Sequence, residues 1–234
     1  MASKPRNFQT NLYYHVYNCG VEKRKIFQTQ HDYRRFLEII AYYQHDQKIS
    51  YAQLMELDAE AQSAYNLLNP KGLETLRVKL LAYCLMPNHF HLLVQPFREG
   101  GISSFLADIQ NSHTRYFNLK NDRVGSLLQG TYKAKGIADE ESLIQVTRYV
   151  HLNPIVSSYR KENSTDEVDK IASVENYPYS SYREWLNPDN SVLVDPEELL
   201  QWLKVFGGRE KYREFVKAKI GGGAESLIGD LTLE

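Results

Sequence analysis

The chain has 234 residues, 42% hydrophobic and 24% charged, enough for one sizeable core with appendages. A formal charge of −1 and a pI near 6.7 count against a protein that simply coats nucleic acid. No apolar run reaches the roughly 18 residues of a membrane span and no apolar leader follows Met1, so the expectation is a cytosolic protein.

Residues 12–19, rich in aromatic and β-branched types and ended by Gly20, predict a first strand. A basic turn, Lys23-Arg24-Lys25, follows it. Phe36, Leu37, Ile39, Ile40 and Tyr43 recur at helical spacing, predicting a helix from near Asp32 to Gln44. Residues 45–75 read as a helical insertion, with Leu54, Leu57, Ala61, Tyr65 and Leu68 in register and a stop at Asn69-Pro70. Val78–Leu85 and His89–Gln95 predict two strands joined at Met86-Pro87-Asn88. A second helix is predicted from Gly101, capped by Ser103 or Ser104, to near Asn121. A short strand over 131–137 and a third helix, from the acids 139–141 to Asn153-Pro154, complete the pattern.

The order β, α, β, β, α, β, α predicts an α+β, ferredoxin-like antiparallel sheet with helices on one face and the other face open. The expected division is 1–155 for this domain and 156–234 for a C-terminal helical extension. That extension reads as an irregular Tyr- and Ser-rich stretch, then helices near 196–206 and 209–220, with punctuation at Gly221–Gly223. Cys19 and Cys84 lie in strand-like runs without CxxC spacing and read as buried thiols.

Two features carry chemistry. His89 and His91, two apart on a strand, share a face and present two imidazoles to one ion, although such a pair is also a common surface pattern. On the third helix Gln145, Tyr149 and Asn153 form a polar stripe opposite Leu143, Val146 and Val150. Asn153 either completes a two-nitrogen, one-oxygen metal set or ends the helix before Pro154. His15, His113 and His151 receive no chemical role; His113 reads as a core histidine, and His151 falls on a different helical face from Tyr149.

Four ordered segments resemble a known family. Tyr14-His15-Val16 with Lys25-Ile26-Phe27, the run Ala82–Leu93, Gln129–Lys135 and Arg148–Pro154 are similar to the IS200-like or REP-associated tyrosine transposases, which are HUH endonucleases. Tyr177–Arg183 looks like the tail segment of the REP-associated members. The insertion at 45–75 and the low basic content depart from the family pattern. The resemblance implies that His89 and His91 bind a divalent ion, Mg²⁺ or Mn²⁺, that Tyr149 is the nucleophile, and that Asn153 completes the coordination. It implies cleavage and strand transfer of single-stranded or hairpin DNA through a 5′-phosphotyrosine. Lys133, Lys135, Arg148 and Arg115 are the expected backbone contacts, with the 17 tyrosines as a reservoir of stacking platforms. A homodimer and a monomer fit equally. Two other readings share these residues: a metal-dependent hydrolase in which water attacks, and a non-catalytic nucleic-acid-binding sheet.

Overall fold

Alternation of side chains organises the sheet. The strands β1 (Tyr13–Cys19), β2 (Val78–Met86), β3 (His89–Pro96) and β4 (Lys133–Ile137) pair antiparallel in the order β2-β3-β1-β4, the arrangement expected of a ferredoxin-like domain. This is a computed structural model, and it describes residues 7–69, 71–159, 167–191 and 193–220. The opening Met1–Arg6, Pro70 and the Gly221–Gly223 run therefore lie outside the described residues.

One face of the sheet is sealed by α1 (Gln30–Tyr43) and α4 (Gly101–Lys120). Phe36 of α1 meets Phe90 of β3 with ring centroids 5.4 Å apart, and His113 of α4 packs on Phe27 and Phe36. α1 begins with a capping box: Asp32 returns its carboxylate to the Gln28 and Thr29 amides, while Thr29 accepts from Asp32 N. α4 starts differently from the expected serine cap. Gly100 holds the left-handed conformation at φ 71°, and Ser104 donates to the Gly100 and Gly101 carbonyls rather than capping amides. A Cβ on Gly101 would stand 2.2 Å from the Arg77 carbonyl oxygen, so no larger residue fits where this helix meets the strand.

The insertion holds two helices, not one continuous helix. α2 (Tyr51–Glu56) stops at Leu57, and Asp58 caps α3 (Ala59–Leu68) by accepting from Ala61 N at 2.8 Å. Tyr51 and Leu54 are buried, Tyr51 against Tyr42 of α1, whereas α3 has no buried residue and leaves Leu67 79% exposed.

α5 (Glu140–Tyr159) crosses the other face, packing on β2, β3 and β4. The face expected to stand open thus carries the helix of Tyr149. The helix also runs through Pro154 instead of ending there. A proline forfeits one helical hydrogen bond, but Leu152 and Ile155 on either side stay almost fully buried, and that packing keeps the next turn in place.

Four further helices follow, α6 (Glu167–Asn176), α7 (Tyr182–Leu186), α8 (Pro196–Phe206) and α9 (Arg209–Ile220): α6 and α9 pack on α5, α7 on α6 and α9, and α8 on α9. α8 and α9 match the predicted pair, while the stretch expected to be irregular contains α6 and α7. The segment between them runs along the outer edge of β2. Leu85 N donates to Tyr179 O at 2.9 Å, Ser181 N to Tyr83 O at 3.0 Å, and Tyr83 N to Ser181 Oγ at 2.8 Å. An edge that would otherwise template another strand is satisfied from within the chain. His151 of α5 fastens this layer, its ring nitrogens 2.5 Å from Tyr212 Oη and 2.8 Å from Ser181 Oγ.

Both cysteines are free, and only Cys84 is buried; Cys19, at the end of β1, is partly exposed and donates its thiol to Gln129. Among the described residues no helix is long and apolar enough to cross a membrane.

Two buried histidines outside the β3 pair, His113 and His151, set an acid limit. Burial lowers His113 to about 4, offset in part by its bond to the Ile26 carbonyl, and burial lowers His151 to about 3. The unfolded chain takes up these protons from near pH 6.5 downward while the folded chain does not, so stability is whole above that pH and falls as pH drops toward 4. Denaturant titrations between pH 7 and 5 are expected to lose on the order of 1 kcal/mol per histidine per pH unit. A flat stability profile over that range contradicts this account.

Candidate active site

On β3, Phe90, Leu92 and Val94 point into the α1–α4 layer and are fully buried, so His89 and His91 turn to the α5 side, as strand alternation requires. β1 pairs beside it with Tyr17 opposite His91 and Cys19 opposite His89. His15 and Tyr17 therefore face the same side. The four side chains pack as a cluster: His15 and His91 stack 9° from parallel with centroids 5.1 Å apart, Tyr17 stacks on both, and His89 stands perpendicular to His91 at 5.0 Å.

Tyr149 descends onto this cluster from α5. Its ring meets His91 edge-on at 5.6 Å and 90°, and His15 edge-on at 5.8 Å. The residue is only 8% exposed and belongs to the buried core, with the imidazoles of His15 and His91 among the rings it meets. Asn153 lies one turn further along the same helix, buried, and donates from Nδ2 to the Tyr149 carbonyl at 3.1 Å. It is a residue of the helix interior, not the helix terminator that its place before Pro154 suggested.

His15 and His91 are held neutral. Burial, then the charge of Lys135, pushes His15 down to about 3; burial, then His15 and His89, holds His91 well below the ordinary histidine range. Neutral imidazoles are the form that ligates a metal ion. His89 Nδ1 lies 2.7 Å from Asn88 Oδ1, which accepts its proton. His91 Nε2 is buried and has no hydrogen-bond partner among the described residues. A buried nitrogen without a partner beside a second imidazole fits a divalent-ion site. Among the described residues no group of three or more His, Cys, Asp or Glu side chains is placed to hold a metal. Asn153 and Tyr149, on the helix above, carry an amide oxygen and a phenol oxygen of the kind that can serve as a third donor.

The basic residues divide. Lys133 and Lys135 lie opposite Tyr17 and His15 on β4, on the α5 side, with Lys133 Nζ 5.4 Å from the centre of the Tyr17 ring. Arg148 is engaged elsewhere: its guanidinium stacks on Phe215 at 4.1 Å, donates to the Phe215 carbonyl at 3.3 Å, and bonds Gln145. It clamps α9 to α5. Arg115 is exposed on α4, across the sheet from Tyr149. The expected group of eight residues thus reduces to Tyr149, His89, His91, Lys133 and Lys135 around one space, with Asn153 a turn away.

His15 and Tyr17 were missed as members of the site. Their signal was the alternation of β1 itself, in which 15 and 17 share a face opposite to Val16; which neighbour they would face depends on strand register, which one strand's sequence does not carry.

Residues 57–153 match the family described as Transposase IS200 like, a span that includes β2, β3, α4, β4 and α5 up to Asn153. A solved structure described as a REP-associated tyrosine transposase bound to a REP hairpin is similar, at 13% identity, covering 82% of this chain and 90% of that one with a TM-score of 0.48. No curated protein matches the chain.

Proposed function

From the IS200-like transposase pattern carried by residues 57–153, we propose that this chain is a single-strand DNA nuclease and strand transferase with Tyr149 as nucleophile. One observation carries the reading: the Tyr149 ring stands edge-on to His91, whose buried Nε2 has no hydrogen-bond partner among the described residues. This reading puts the nucleophile and a metal-binding nitrogen on two rings that touch, with the phosphate bound between them.

His89 and His91 would hold a divalent ion, Mg²⁺ or Mn²⁺, with Asn153 as a third donor. When bound, the ion supplies positive charge at the scissile phosphate and at the departing 3′ oxygen. Tyr149 Oη attacks phosphorus in line and the bond to the 3′ oxygen breaks, leaving a 5′-phosphotyrosine. The phenol's proton balances the 3′ hydroxyl that departs. The phosphodiester energy is kept in the new bond, so a second 3′ hydroxyl can reverse the step on another strand. Lys133 and Lys135 would hold the incoming backbone, and Tyr17 offers an aromatic face beside them. Hairpin DNA is the substrate class that the family resemblance implies.

Incubation with single-stranded hairpins and Mn²⁺ is expected to yield a protein–DNA adduct that survives denaturing gels. Scission without any adduct would assign the attack to water instead, and binding without scission would leave a non-catalytic module. The backbone contacts have their own test. Log affinity for single strands is expected to fall with log salt by about 0.7 per phosphate contact, so Lys133→Ala with Lys135→Ala should flatten the slope by about 1.4. Arg115→Ala, across the sheet, should leave the slope as it is. Equal slopes for the double variant and the parent would remove the lysines from the interface.

A further inference from the structure

His15 takes part in no step above, yet it is built into the site. It has no exposed surface, and its Nε2 lies 2.9 Å from Nδ1 of His91. The other two nitrogens of the pair, His15 Nδ1 and His91 Nε2, have no partner among the described residues.

Only one proton can lie between the two rings, and two neutral arrangements are open. If His15 donates, His91 carries its own proton on Nε2, and that nitrogen has no lone pair to offer. If His91 donates from Nδ1, its Nε2 is a lone pair directed away from His15. His89 follows the second pattern, with Asn88 Oδ1 taking its Nδ1 proton. A metal-ligating histidine ordinarily has its second nitrogen fixed in this way by a carbonyl, carboxylate or water.

We propose that His15 is a positioning residue: it accepts the Nδ1 proton of His91 and so holds that ring with Nε2 available to the divalent ion. The inference rests on the metal-assisted reading of the site, and it assigns an imidazole to a place more often taken by an oxygen acceptor. β1 supplies the residue because Tyr17 pairs with His91 and His15 with Leu93, which puts His15 on the diagonal within reach of His91.

Calorimetric titration with Mn²⁺ tests it, with thermal unfolding of each variant as the check on folding. His91→Ala is expected to lose Mn²⁺ binding. His15→Leu, which keeps the volume and removes the acceptor, is expected to weaken it about 10- to 100-fold. His15→Gln, whose amide oxygen can take the same proton, should recover most of the loss. Wild-type affinity in His15→Leu with loss in His91→Ala would overturn the role of His15 and leave the site intact. Equal uptake by wild type and His91→Ala would overturn the site, and this role with it. Nitrogen-15 NMR of the metal-free wild-type protein decides even if His15→Leu does not fold. A proton on Nδ1 of His91 supports the role, and a proton on Nε2 overturns it.

Discussion

Tyr149→Phe is expected to abolish the covalent protein–DNA adduct, with strand cleavage falling by about a thousandfold or more, while affinity for single strands stays at the parental level. The substitution removes one oxygen and keeps the ring that packs edge-on against His15 and His91, so folding should survive with a change within about 1 kcal/mol. That makes it a clean separation of chemistry from binding. The readouts are the shifted band on a denaturing gel and an affinity measured in parallel by fluorescence anisotropy. Normal cleavage by Tyr149→Phe would sink the nucleophile assignment. Loss of binding together with cleavage would mean that the phenol holds DNA rather than attacks it.

Trp185→Ala is expected to be the most destabilising of the single substitutions considered, at about 3–5 kcal/mol. Trp185 is almost wholly buried. Its ring lies 4.5 Å from that of Tyr212 and 5.7 Å from His151, and its Nε1 donates to the Leu81 carbonyl of β2 at 3.0 Å. Truncation leaves a cavity at the junction of α5, α7 and α9, and it orphans a carbonyl of the sheet's edge strand. For a chain of this size the thermal midpoint should drop by roughly 10 °C, in a single transition. The single transition matters as much as the size. If α6 to α9 melted separately, with the sheet unaffected, the C-terminal helices would not support α5, and the seating of Tyr149 would have to come from the sheet alone.

Much of the fold was legible in order along the chain. The spacing of Phe36, Ile39, Ile40 and Tyr43 needs only a helix to make sense, and α1 forms where that spacing lies. The alternation through 89–94 separates imidazoles from Phe90, Leu92 and Val94 whatever the strand pairs with. The departures share a cause. α5 continues past Pro154, α4 starts on a left-handed glycine, and α2 and α3 divide at Asp58; in each case local propensity was overridden or refined by what the segment packs on or by which side chain reaches an amide.

The chemistry divides along the same line. Residue type, and spacing within one element, made His89 with His91, and Tyr149 with Asn153, visible in the sequence, because a strand repeats every two residues and a helix nearly every four. That Tyr149 meets His91, that His15 bonds His91, and that Arg148 stacks on Phe215 depend on strand register and on how α5 crosses the sheet. Those are distances between elements tens of residues apart. They follow from burying the apolar stripe of α5 against β2 and the C-terminal helices, a choice made by the whole core at once and written in no single segment.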